Sequence, residues 1–425
     1  MKILLTGFTS LHWGRMEFGN IGNYYIIEPL LDELNATFSD ADIYTTCQFS
    51  NEFIDRTGVK TLPLNYYYDW SDSCIKNAKD ELKIAYEYLN TGNIIGSSPY
   101  IEFLLNTDLV IDFSGDMWGE NSTLFGKDRL EVGLIKDRVA QIFAKKTAMI
   151  AGSPGPFSES FELLDFAKEV YSNFDIVTNR ENLSKNLLKD SGFDISKTVS
   201  LTCPAFLFKP SSYKPKLTNG PNIGYVLCGW NFTNGSYDTE NRPESDYAVF
   251  VESIKYILNT IEDSTVYLMS HSNAFPIPPK EFELQHGRDY DTMVKLEQIM
   301  IKLGYEDRVV LIKEVHDAWD TKAFIGNFDM LISGRIHAAV AALSQSVPTV
   351  IINYGNGPVP HKLAGFAEVA NVSELIASPH DVNDLIDKID HCWDNLKLYK
   401  IMLNEIIPGI KERAKKNITL LKTIL

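Results

Sequence analysis

The chain has 425 residues, of which 44% are hydrophobic and 23% charged, and its formal net charge is −16. That length predicts two domains, each able to bury a core of its own, and that composition is one of an ordered globular protein. The acidic balance excludes general attraction to a nucleic-acid backbone, which needs lysines and arginines to displace counterions, but a few local arginines can still hold a small anion.

Five cysteines, Cys47, Cys74, Cys203, Cys228 and Cys392, are odd in number and form no C-x-x-C pair. Neither a disulfide framework nor a zinc site is expected, and a reducing compartment fits. No motif asks for a metal or a cofactor. The MKILLTG start has too short an apolar run for a signal peptide, and no later stretch approaches the ~20 apolar residues that span a bilayer. A cytoplasmic protein is the expectation.

In chain order, short apolar runs appear at Lys2–Thr6, Leu109–Phe113, Thr147–Ala151 and Asp175–Thr178, then at Asn222–Cys228, Thr265–Ser270, Arg308–Ile312, Asp329–Ser333 and Pro348–Asn353. Each is followed by a segment of helical periodicity, the pattern of buried parallel strands joined by crossover helices. The fold class predicted is α/β, with two doubly wound, Rossmann-like domains facing a cleft. Open parallel sheets bind ligands at the carboxyl ends of their strands, so the loops there are the places to look for chemistry.

The loop after the first run, GFTSLHWGRMEFGNIGNYY, carries His12, Arg15, Glu17 and the pairs Gly19-Asn20 and Gly22-Asn23 before a helix expected from Tyr24. Polar groups on a glycine-rich loop suit substrate contact, Asn20 among them, and an irregular surface loop is the plain alternative. The spacing is not G-x-G-x-x-G, so a dinucleotide fingerprint is unsupported. After the second run, SGDMWGENS sets Asp112, Asp116 and Glu120 beside Trp118. A carboxylate next to an aromatic ring can hold a sugar, and Asp116 is the candidate base; solvated surface acids are the bland reading. TNRE then places Arg180 at a helix start, either as an anion ligand or in a simple salt bridge.

The segment KPSSYKPKLTNGP at 209–221 breaks the rhythm with prolines, serines and a glycine, as an interdomain linker does. The expected division is an N-terminal domain 1–208, the linker 209–221, a C-terminal domain 222–394 and a helical segment 395–425. His271 ends the run VYLMSH and His316 lies in KEVHDAWD, both cleft candidates that alone read as structural histidines. FDMLISGRIHAAVAAL joins strand, turn and helix with Arg335 and His337 at the junction. There the helix's first N–H groups favour an anion that Arg335 could grip bidentately while His337 moves a proton; capping or local pairing is the structural alternative. Gly355 and Gly357, after the last run, could bring backbone N–H groups to a phosphate or simply make a turn. The final helix, expected to be interrupted near Pro408 and Gly409, carries Lys397, Lys400, Lys411, Arg413, Lys415 and Lys416. It reads as a solvated helix packing back on the domains, or as a surface for peripheral membrane contact.

The order GNIGNYYIIEPLL, TNREN, CPAFLF, YLMSHS, DMLISGRIHAAVAAL and VPTVI resembles the polysaccharide pyruvyl transferase family over roughly Met1 to Phe366, with GRIHA the most specific element. The resemblance implies two Rossmann-like domains arranged as in the B-type glycosyltransferases. It implies transfer of a pyruvyl group from phosphoenolpyruvate, a donor substrate, to a sugar, commonly as a ketal bridging two hydroxyls; a lipid-linked saccharide acceptor at the inner face of the membrane is the expectation that the basic final helix adds. By motif, Arg335 and His337 match the family's Arg and His at the donor site, and Arg180 matches the arginine of its mid-chain segment. The chain departs from the family pattern at Asn23, Ser114–Asp116 and Cys203. A nucleotide-sugar-dependent glycosyltransferase and a non-catalytic sugar-binding relative are the alternative functions.

Overall fold

A computed structural model describes residues 1–7, 13–120, 122, 126, 128–233, 238–355 and 360–425. The first sheet contains β1 (Lys2–Thr6), β2 (Asp42–Thr45), β3 (Lys60–Thr61), β4 (Leu109–Asp112), β5 (Lys146–Gly152), β6 (Ile176–Asn179) and β7 (Thr198–Ser200). They are parallel in the order β3-β2-β1-β4-β5-β6-β7, with Leu4 opposite both Tyr44 and Val110. The second sheet contains β8 (Asn222–Val226), β9 (Thr265–Leu268), β12 (Val309–Leu311), β13 (Met330–Ser333), β14 (Thr349–Ile352) and β15 (Ile376–Ala377). A small antiparallel pair, β10 (Asn273–Ala274) and β11 (Gln285–His286), stands apart from it.

The order of the second sheet, β12-β9-β8-β13-β14-β15, repeats that of the first: the opening strand of each sheet is central, and the winding direction reverses beside it. Such a reversal leaves a crevice at the strands' carboxyl ends. In the first sheet it lies after β1 and β4, and in the second after β8 and β13.

All nine predicted apolar runs are strands. They were legible because burial on both faces leaves no room for polar alternation: β4, β6, β9, β13 and β14 are buried at every residue. The strands that no apolar run announced, β2, β3, β7, β10, β11 and β15, are two to four residues long and partly exposed.

The chain divides into two compact units. One comprises Met1–Met16, Leu30–Pro204 and Arg413–Leu425, the other Glu17–Pro29 and Ala205–Glu412. The opening turns of the long helix Ile21–Thr37 therefore count with the second sheet, and the chain's last residues with the first. That helix begins three residues before Tyr24, because Asn20 caps it: its side-chain oxygen accepts the Gly22 N–H at 3.0 Å, and its carbonyl accepts those of Asn23 and Tyr24.

The final helix runs unbroken from Leu396 to Thr419 with Pro408 inside it, against the expected interruption. A buried stripe of Leu403, Ile407, Ile410, Ala414 and Ile418 recurs every three or four residues through the proline, and this burial outweighs the local cost of about 3 kcal/mol. No helix among the described residues is long and apolar enough to cross a membrane.

Candidate active site

At the carboxyl end of β13 the chain turns through Gly334 into the helix Ile336–Leu343, with Arg335 in extended conformation at its start. Ser333 pins this turn: its hydroxyl accepts the Arg335 N–H at 3.1 Å and donates to the Arg335 carbonyl at 2.8 Å. The guanidinium is gripped from the side. Nε donates to Oδ2 of Asp289 at 2.9 Å and Nη2 to Oδ1 at 2.6 Å, and Asp289 is completely buried. The Asp289 amide in turn donates to the Ser272 hydroxyl at 3.1 Å. Two of the five guanidinium N–H groups are thus matched to a buried carboxylate, which fixes the direction of the side chain.

His337 follows on the first turn of the same helix. Its ring stands edge-on to Phe366 at 6.1 Å and meets the backbone of Gly22, where a Cβ would lie 2.5 Å from Nδ1. Only glycine permits that approach. The two glycine- and histidine-bearing motifs, far apart in sequence, therefore meet in one unit, with the imidazole against the positive end of a 17-residue helix. Lys362 is buried one turn before Phe366 on the helix Pro360–Val369, so its side chain leaves from the face that meets His337.

His271, beyond the end of β9, is buried and lies edge-to-face with Tyr25 at 5.4 Å. Burial, and then the nearby charge of Arg335, push its pKa down to about 3, so it is neutral at physiological pH. Its Nε2 has no hydrogen-bond partner among the described residues. Asn231 ties three of the sheet's loops together, accepting the Cys228 N–H at 2.8 Å and donating to the carbonyls of Asn353 at 3.2 Å and Gly334 at 3.4 Å. The Gly355 N–H donates to the Trp230 carbonyl at 2.9 Å, and a Cβ there would meet Nε2 of His380 at 2.6 Å. Gly357 lies outside the described residues, as does His12.

In the first unit, Arg180 follows β6 and is buried, with Nε donating to the Ser153 hydroxyl at 2.8 Å and Nη2 4.0 Å from Oδ2 of Asp116. Asp116 sits in the turn after β4, its side chain one-third exposed. Beneath that turn Asp112 accepts both the amide and the hydroxyl of Ser114 and shares a buried hydrogen bond with Asp137. Burial raises both carboxyl pKa values, and the charge of Asp112 raises that of Asp137 further. Among the described residues no group of histidine, cysteine and acidic side chains is arranged to hold a metal ion.

A model of the polysaccharide pyruvyl transferase family matches residues 20–356, from the capping Asn20 to just beyond Gly355. The chain belongs to the polysaccharide pyruvyl transferase family. It is accordingly a polysaccharide-modifying transferase. No protein of curated function matches it by sequence. Among solved structures it is similar to a putative UDP-N-acetylglucosamine 2-epimerase from Listeria monocytogenes, with a TM-score of 0.59 at 12% identity over 99% of this chain and 96% of that one. A glycosyltransferase from Rickettsia africae superimposes with a TM-score of 0.58 at 14% identity over 100% and 98%. HepE of Anabaena in complex with UDP does so with a TM-score of 0.57 at 12% identity over 100% and 98%. These likenesses show the fold, the two-domain α/β architecture of B-type glycosyltransferases.

In this family member local packing and pairing engage several of the side chains singled out in the sequence. Trp118 is no sugar platform: it is 1% exposed, packed against Phe157, Tyr171 and Phe193. Glu120 clamps its own neighbourhood, accepting from the amide and hydroxyl of Ser158. Asn20 spends its side-chain oxygen on its own helix. His316 packs between Tyr213 and Phe324. Asp289, Asn231 and Lys362 escaped sequence reasoning; an acid before a helical run reads as a cap, and nothing local says that Asp289 faces an arginine 46 residues on.

Proposed function

We propose that this transferase moves a pyruvyl group from phosphoenolpyruvate onto a sugar of a cell-surface polysaccharide or its cytoplasmic precursor, closing a ketal across two hydroxyls. The observation that carries the reading is the packing of His337 onto the Gly22 turn, which joins an imidazole to a helix's positive end beside Arg335. A small donor with a carboxylate and a phosphate suits such a place, since helix N–H groups and fixed cations favour anions there.

In the proposed sequence His337 gives a proton to the donor's methylene carbon, which becomes a methyl group and leaves C2 cation-like. A sugar hydroxyl adds to C2, its proton passing to a base, for which we propose Asp116. The bond from C2 to the phosphate oxygen then breaks, inorganic phosphate departs, and a second hydroxyl closes the ketal with loss of its proton. Arg180 and Arg335 are proposed to balance the donor's charge; His271, neutral at physiological pH, offers a hydrogen bond without adding charge.

Titration calorimetry with phosphoenolpyruvate, and separately with uridine, guanosine and cytidine diphosphates, tests the donor. Phosphoenolpyruvate is expected to bind, and His337→Asn to keep that binding while losing phosphate release by at least about 100-fold, as removal of a general acid does. A neighbour of the same fold is complexed with UDP, so selective binding of a nucleotide would instead assign nucleotide-sugar transfer.

A further inference from the structure

The segment between β10 and β11 presents aromatic surface that the mechanism leaves unused. Phe282 lies 4.8 Å from Phe18 and 5.8 Å from Phe275, ring centre to ring centre, with the rings tilted by 47° and 52°. Phe282 is 40% exposed and Ile277, at the tip, 53%. Contiguous exposed apolar surface is where ligand-binding grooves form.

The cluster is joined to the site. Asn273, in β10, donates its N–H to the Gly19 carbonyl at 3.4 Å, and Phe18-Gly19-Asn20 leads directly into the turn on which His337 packs. Four residues of chain reach at most about 14 Å, so Phe18 lies within a disaccharide's reach of Gly22. Flanking Phe282 in the chain are the exposed Glu281 and Glu283, with Lys280 before them. That balance favours neither an anionic membrane nor a polyanion. It fits a neutral pyranose chain, whose C–H faces cover aromatic rings and whose hydroxyls donate to carboxylates.

We propose that Phe18, Phe275 and Phe282 form the platform on which the acceptor saccharide lies, beyond the sugar that receives the group. This rests on the reading of the acceptor as a saccharide, and not on the identity of the donor.

The test is binding of the full-length protein to an array of defined neutral oligosaccharides of glucose, galactose and mannose, with phosphoenolpyruvate titrated in parallel. The wild type is expected to bind at least one of these saccharides. Phe282→Ala should weaken it at least tenfold, Phe282→Trp should keep it, and both should bind phosphoenolpyruvate as the wild type does. Binding of none of the saccharides by the wild type, equal binding by Phe282→Ala, or joint loss of saccharide and donor would each overturn the platform. Saccharide binding that depends on Phe282 while phosphoenolpyruvate fails to bind would sink the donor assignment alone.

Discussion

Arg335 shows what a sequence motif conceals at the scale of one residue. Its guanidinium is held along one edge by a completely buried Asp289. Removing the carboxylate strands a desolvated cation, so Asp289→Ala should cost about 3 kcal/mol in urea unfolding. His271 makes the opposite kind of prediction. Its folded pKa of about 3 lies below the ordinary value of 6.5, so on acidification the unfolded chain takes up a proton that the folded one refuses. Its contribution to stability is complete above pH 6.5 and is lost progressively as pH falls toward 3. Thermal melts between pH 7.5 and 4.5 should therefore drop less steeply for His271→Asn than for the wild type; parallel curves would show that another group controls the acid limb.

At the scale of elements, the two sheets have the same winding order, and the residues argued for chemistry sit after β13 in one and after β4 and β6 in the other. The strand ends supply position and the helix starts supply fields, and the packing of His337 on the Gly22 turn brings two such starts together within one unit. The closing helix tests how far packing overrides propensity. Pro408 cannot donate a backbone hydrogen bond, but the apolar stripe on both sides of it is buried. Pro408→Ala should raise stability by about 1 to 2 kcal/mol, the proline's helical cost reduced by the freedom that alanine returns to the unfolded chain. A decrease would mean that the proline's shape is itself required.

For the whole molecule, the two units are not consecutive halves of the chain. Glu17–Pro29 counts with the second unit, where Tyr24 and Tyr25 are fully buried against Phe208, Trp319 and His271. The tail from Arg413 counts with the first, where Asn417 accepts from the Thr178 hydroxyl at 2.7 Å and donates to the Thr202 carbonyl at 2.9 Å. An isolated Ala205–Glu412 fragment should accordingly lack a cooperative thermal transition, because two large aromatic side chains would be missing from its core. Adding a peptide of residues 17–37 should restore one. A sharp transition in the fragment alone would show that the helix start is dispensable to that core.

What the amino-acid sequence determined by itself was whatever depends on near neighbours. Buried strands announced themselves as apolar runs, and the GRIHA turn was legible because strand, turn and helix follow one another within a few residues. The same holds for the family resemblance, which rests on the order of such segments and which the match over residues 20–356 bears out. What only the tertiary structure decided depends on partners distant in the chain. That Gly22 must be glycine follows from His337, that Arg335 is paired follows from Asp289, and that Trp118 is core rather than platform follows from Phe157, Tyr171 and Phe193. A side chain's chemistry is set by what shares its volume and excludes water from it, and for these residues that company is assembled only by folding.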